Sequence, residues 1–293
     1  MIRTFRPGLL TRSFQVEPGC VVISDEDGTD SRRQTPHALV KELAKTRSAA
    51  RRVVELLEPS AQAYKARTGW FREYLEQLVK HGFGEELFKG LTVAEMQAAC
   101  QRVVEAEGSN THIFTRQLLR VAREQQIPGV LLSGSFTELV ELFAKLHGIE
   151  IVCATQMKHV DGVYSGEILS LPVKDKGAAA IKIAKQYGFR LEVSIGLGDG
   201  PGDFKMLNLV GYPLLISPKE PKSRKYPVSD EGAGTAVISE KGESISCQRM
   251  NERGVLEDVR LTDVLPQPLA SVLEHRLRLY LDYEPTPLRP AIA

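Results

Sequence analysis

The feature that most constrains this chain is the alternation that begins after residue 109. Short apolar runs at Gly129 to Leu132, Glu150 to Ala154, Val193 to Leu197 and Tyr212 to Ile216 are separated by stretches of helical periodicity. Neighbouring parallel strands need a long crossover, usually a helix, so this alternation predicts a parallel sheet wrapped on both faces. Open sheets of that kind bind ligands in the crevice beyond the carboxyl ends of their strands. An earlier run, Val21-Val22-Ile23, is a β-branched strand that stops abruptly in Asp25-Glu26-Asp27-Gly28-Thr29, placing acids at such an end.

Between that strand and the alternating part, residues 35 to 108 read as helices. Pro36 suits a first helical position, and Leu39, Val40, Leu43, Val53, Val54 and Leu57 recur at roughly helical spacing. A second helix is predicted from Ser60, with Trp70, Phe71, Tyr74, Leu75 and Leu78 on one face. A third starts at Thr92, where Glu95 completes a capping box, and ends near Gly108. Asp161-Gly162 between Val160 and Val163 predicts a hairpin. Beyond Pro218 the chain turns rich in Pro, Gly, Ser and charge, with one strand at Thr235 to Ser239 and an amphipathic helix near Leu269 to Leu281.

Composition removes several classes of function. The 293 residues carry 38 Lys plus Arg against 37 Asp plus Glu, a formal charge of +1 that supplies no broad field for nucleic acid or anionic lipid. No apolar run reaches the ~20 residues of a membrane helix. Cys20, Cys100, Cys153 and Cys247 lie far apart without a C-x-x-C pair, which points to reduced thiols and the cytoplasm. Arg3, Arg6 and Arg12 would suit a transit peptide, but Pro7 and Gly8 spoil the helix one needs. The partner is expected to be a small molecule; nothing in the sequence fixes the oligomeric state.

Four segments place reactive groups where strands end or helices begin: Asp25 with Asp27, Ser133 beside Gly134, Lys176 at the head of an alanine-rich helix, and Asp199 with Asp203 in Gly198-Asp199-Gly200-Pro201-Gly202-Asp203. If the chain stays extended past Ile23, Asp25 and Asp27 point to one side and Glu26 points away. Alone, each has a plainer meaning: Asp-Gly marks turns, a serine caps helices, and a lysine is usually solvated surface. The spacings fit neither a calcium loop, a dinucleotide fingerprint nor a P-loop, and the six histidines lack metalloprotease spacing. Together the acids, hydroxyl and lysine suit phosphoryl transfer. Magnesium prefers carboxylate oxygen, and a carboxylate can attack a phosphate dianion only once charge is cancelled.

In order and spacing these motifs resemble the haloacid dehalogenase superfamily, in particular its branch with a helical cap inserted after the first motif, which includes phosphoserine phosphatase. The resemblance covers about residues 19 to 218. It implies an α/β fold with a Rossmann-like core at 1–31 and 109–228, an all-helical cap at 32–108, and a C-terminal extension at 229–293. It further implies a Mg2+-dependent phosphomonoesterase in which Asp25 is the nucleophile and Asp27 the general acid and base. Ser133, Gly134 and Lys176 would then bind phosphate, Asp25, Asp27 (through its carbonyl) and Asp199 the metal, and Asp203 would steady Lys176. A phosphotransferase or a catalytically silent binding protein on the same fold are the alternatives.

Two positions depart from the family pattern, Gly202 where Asn is common and Asp30 where an apolar residue is preferred. Substrate recognition departs as well. Phosphoserine phosphatases usually carry a glutamate where this chain has Gln34, and a cap arginine where Phe83-Gly84-Glu85-Glu86 precedes Lys89-Gly90-Leu91. Phosphoserine is therefore expected to be a poor substrate, with Arg32, Arg33 and Gln34 as candidate specificity residues.

Overall fold

A computed structural model describes residues 17–33, 35–48, 50–51, 55, 87–217, 235–241, 244–250 and 255–280. The second predicted helix, with Trp70 and its neighbours, and residues 83–86 and 34 lie outside these.

The apolar run after Gly19 forms β1 (Val22–Ser24), fully buried because it becomes an interior strand of a nine-stranded sheet. Thr35–Ala44 forms α1 and Val93–Glu107 forms α2. At the head of α2 Thr92 Oγ1 accepts from Glu95 N at 3.1 Å while Thr92 N donates to Glu95 Oε2 at 2.8 Å, the reciprocal cap predicted by their spacing. There follow α3 (Ile113–Glu124), β2 (Gly129–Phe136), α4 (Thr137–His147), β3 (Ile151–Val160) and β4 (Val163–Ser170). Asp161 and Gly162 join β3 to β4 with φ of 50° and 77°, the pair of positive values that a two-residue type I′ turn requires.

The chain continues through α5 (Lys176–Tyr187), β5 (Ile195–Gly198), the short α6 (Phe204–Leu207) and β6 (Tyr212–Ser217). Beyond it lie β7 (Ala236–Lys241), β8 (Ser244–Met250), β9 (Leu256–Asp258) and α7 (Gln267–Tyr280).

The spatial order is β4-β3-β2-β1-β5-β6-β7-β8-β9, parallel from β3 to β7 and antiparallel at both margins. The chain moves outward from β1 through β2 and β3, then returns to β5 on the other side of β1. In open parallel sheets such a reversal is the place where ligands bind, beyond the carboxyl end of the strand, here β1. Alternate strand residues feed two cores: Val21, Ile23, Val130 and Leu132 pack with Ala180 and Ile183 of α5, whereas Val22, Leu131, Ile195 and Leu197 face the cluster that includes α1 to α4 and α7.

The C-terminal segment builds on the same sheet: β7 pairs in parallel with β6, and α7 packs on α3, where Arg276 Nη1 lies 3.1 Å from Glu124 Oε1. Strands β8 and β9 went unread in the sequence because Ile245 and Cys247 are the buried apolar residues described in an otherwise short and largely polar stretch. All four cysteines are free, with Cys20, Cys100 and Cys247 buried and Cys153 half-buried. Among the described residues no helix is long and apolar enough to cross a membrane.

Candidate active site

Strand register brings the candidate residues to one level. Ser24 pairs with Leu131 of β2 and with Leu197 of β5, so Asp25 lies level with Leu132 and Gly198, one residue short of Ser133 and Asp199. The Asp25 amide donates to Leu197 O at 2.9 Å, binding the end of β1 to the end of β5. At the head of α5, Asp175 caps the helix by accepting from Ala178 N at 3.0 Å, and Lys176 turns inward. Its ammonium lies 2.7 Å from Asp25 Oδ1 and 2.6 Å from Asp203 Oδ1, and the side chain is 4% exposed. Asp203 Oδ2 accepts from Asp199 N at 3.0 Å and Gly200 N at 3.2 Å, so one carboxylate fixes both the lysine and the loop bearing Asp199.

Among the described residues this is a concentration of negative charge with Lys176 against it. Burial pushes the Asp25 carboxyl up to about 7, opposed by Lys176 and reinforced by Asp203 and Asp27. Burial, then Asp203 and Asp25, hold Asp199 well above the usual carboxylate range. Lys176 is held above the usual lysine range: burial opposes its charge, but Asp203 and Asp25 outweigh it. One oxygen from each of Asp25, Asp199 and Asp203 lies within 4.8 Å of the others, a spacing that suits a hard divalent cation. Gly28, at φ +85°, leaves the space in which the Asp199 carboxylate sits: a Cβ there would fall 2.7 Å from Asp199 Cγ. The donor set, all carboxylate oxygen, and this cradle fit magnesium.

The first motif is bent where an extended chain was expected. Strand β1 stops at Ser24, and a turn follows in which the amides of Asp30 and Ser31 both donate to Glu26 O at 2.9 Å. Asp27 is consequently directed to the start of α1, where its Oδ1 accepts from Thr35 N at 2.7 Å and Thr35 Oγ1 at 2.8 Å. Glu26, expected to point away, is fully buried and takes the same hydroxyl at 2.9 Å. The Asp27 carboxylate thus stands outside the Asp25–Asp199–Asp203 group. Burial raises its carboxyl to about 6 against the hydrogen bonds of Glu26 and Thr35.

Ser133 is buried at the carboxyl end of β2 and its hydroxyl accepts from Ser135 N at 3.0 Å, while Gly134 O accepts from Thr155 Oγ1 at 2.7 Å. Of the specificity candidates, Arg32 pairs with Glu240 and donates to Thr111 O at 3.1 Å, and Arg33, largely exposed, meets Glu107 at 2.9 Å. Among the described residues nothing lies within 4 Å of where a Cβ at Gly202 would stand. The unusual Asp30 is fully buried, with Oδ2 2.7 Å from His147 Nε2, the ring nitrogen lying off the line of a hydrogen bond. Thr35 was legible as the residue before Pro36 at a helix start but not as the partner of Asp27, and nothing local marks Glu240 or His147.

The family model described as haloacid dehalogenase-like hydrolase matches residues 22–208. A phosphoserine phosphatase of Mycobacterium tuberculosis is 28% identical over 107 residues, 36% of this chain and 26% of that protein. The phosphoserine phosphatase of Streptococcus thermophilus is 29% identical over 162 residues, 46% of this chain and 75% of that one. The chain therefore spans about a quarter of the first relative's length and three quarters of the second's. A Bordetella pertussis protein of unknown function shares the fold, with a TM-score of 0.55 at 18% identity over 68% of this chain and 91% of that chain.

Proposed function

From the premise that this chain belongs to the haloacid dehalogenase-like hydrolases, we propose that it is a magnesium-dependent phosphomonoesterase acting through an aspartyl-phosphate. The observation that carries the reading is the buried Lys176 ammonium between Asp25 and Asp203, at the strand reversal and beside Asp199. Asp25 and Asp199 would hold Mg2+ through their carboxylates and Asp27 through its main-chain carbonyl. The bound cation would cancel phosphate charge and polarise the phosphoryl oxygens.

In the first step Asp25 attacks phosphorus and the bond to the ester oxygen breaks, while Asp27 donates a proton to the departing alkoxide. In the second, Asp27 takes a proton from the water that attacks the phosphoryl group, and Asp25 is released as a carboxylate. A carboxyl raised to about 6 can do both near neutral pH. Lys176 offsets the charge of phosphate and nucleophile, and Ser133 with the Gly134 amide would orient a phosphate oxygen.

The substrate is a small phosphorylated metabolite other than phosphoserine, because Gln34, Glu85 and Glu86 stand where phosphoserine phosphatases carry groups for the amino acid's charges. A panel of phosphomonoesters with and without Mg2+ tests the reading. Activity should need the metal and vanish in Asp25→Asn. Asp27→Asn should lose more on alkyl than on aryl phosphates; full turnover in excess chelator, or phosphoserine as the preferred ester, would count against it.

A further inference from the structure

Resting on the reading above, we propose that Glu240, beyond the residues the family model matches, is a positioning residue for the proposed general acid Asp27. Glu240 comes from β7, and its side chain is 1% exposed. Its Oε1 accepts from Phe114 N at 2.6 Å and its Oε2 from Ile113 N at 3.2 Å, so it caps the amino end of α3 from 126 residues away. Arg32 Nη2 pairs with the same Oε2, and His112 Nδ1 lies 3.4 Å from it. Burial works against its charge, but His112, the Phe114 amide and Arg32 hold the carboxyl below its ordinary value. One buried anion thus joins the segment that leaves the first motif to the segment that begins α3.

From there the connection to Asp27 runs through the turn that follows it. His112 N donates to Asp30 O at 2.8 Å, Arg32 N to Asn110 O at 2.9 Å, and Thr115 Oγ1 to Thr29 O at 2.7 Å. The turn held on its outer side by these bonds is the one whose inner side is closed by the Asp30 and Ser31 amides on Glu26 O, with Asp27 between. Without Glu240, two buried amides lose their acceptor and Arg32 loses its partner, so residues 110–115 shift and the turn with them. Asp25 is held separately, by Lys176 and by Leu197 O. The consequence is specific: proton donation to the leaving group suffers while nucleophilic attack persists.

The test compares kcat for p-nitrophenyl phosphate, whose leaving group needs little protonation, with that for β-glycerophosphate, whose alkoxide needs it. General acid catalysis contributes roughly 10²–10⁴-fold, and displacement forfeits part of it. Glu240→Ala should therefore lose about tenfold more on the alkyl ester than on the aryl ester. Amides in peptides covering residues 26–32 should also exchange faster with deuterium. Glu240→Gln keeps an acceptor for the Phe114 amide and should show the same bias more mildly, which preserves the test if the alanine variant does not fold. Glu124→Ala breaks the α3–α7 pair without touching the clasp, and any loss it causes should be equal for both esters. An equal loss on both esters in both Glu240 variants overturns the inference. Should the unmutated protein hydrolyse neither ester, the phosphatase reading fails by itself. Exchange then decides: protection of residues 26–32 unchanged in Glu240→Gln and Glu240→Ala overturns the positioning role, and selective loss there sustains it.

Discussion

Gly28→Ala isolates the proposed metal-binding half of the site without replacing any carboxylate. The substitution has two separable consequences. The first is backbone strain: at φ +85° an L side chain costs about 1–2 kcal/mol, or a few degrees of melting temperature at this chain length. The second is local displacement. The new Cβ would stand 2.7 Å from Asp199 Cγ and closer still to its Oδ2, whereas ordinary non-bonded contact begins near ~3.5 Å, so the carboxylate must retreat by about 1 Å. Magnesium holds its ligands at about 2.0–2.1 Å in a near-octahedral set and tolerates shifts of only ~0.2 Å. The concentration of Mg2+ giving half-maximal phosphatase activity should therefore rise at least about tenfold, and the stabilisation of the fold by Mg2+ should shrink in parallel. Gly188→Ala is the matched control: it sits at φ +73° at the end of α5 with nothing within 4 Å, so it should show the strain alone. Thermal melts and Mg2+ titrations of both variants decide the matter. If Gly28→Ala keeps the unmutated protein's Mg2+ dependence, Asp199 is not in the metal's coordination shell and the site has been misread.

The acid cluster sets a pH dependence in chelator. Asp25 at about 7, Asp27 at about 6 and Asp199 are all raised above their unfolded values near ~4, so the folded state binds more protons. Stability should fall as pH rises from about 4 through 7, and added Mg2+ should raise the melting temperature more at pH 8 than at pH 5; the opposite trend in a calorimetric series would remove the charge argument. Asp30→Asn replaces the carboxyl oxygen that lies 2.7 Å from the buried His147 ring and should cost roughly 1–3 kcal/mol in a denaturant titration, whereas Asp30→Asn with His147→Gln should recover part of it. Gly202→Asn should be tolerated, with a melting temperature within about 2 °C of the parent, because none of the described residues lies within 4 Å of the new Cβ. A large drop would mean that the loop after β5 is more tightly packed than its geometry indicates.

Elements whose determinants lie within a few residues of one another were legible in the sequence. The Asp161-Gly162 turn, the Thr92–Glu95 cap of α2 and the strand-and-helix alternation are of this kind, and each appears where its local chemistry requires. Asp25, Lys176, Asp199 and Asp203 could be named in advance because reactive groups at strand ends and helix starts are conspicuous one by one, and their order carries a family's pattern. What the sequence could not supply is the other half of each contact. Lys176 lies equally close to Asp25 and Asp203, Asp27 turns to Thr35 and leaves the acid group, Asp30 finds His147, and Glu240 reaches across 208 residues to Arg32. A buried charge is tolerable only beside a partner, and the partner's place in the chain is fixed by how the sheet folds back on β1 and adds β7 beyond β6. Local propensity chose the strands and helices, while the burial of charge, settled only once distant segments meet, decided which acids meet Lys176 and which are held by other partners.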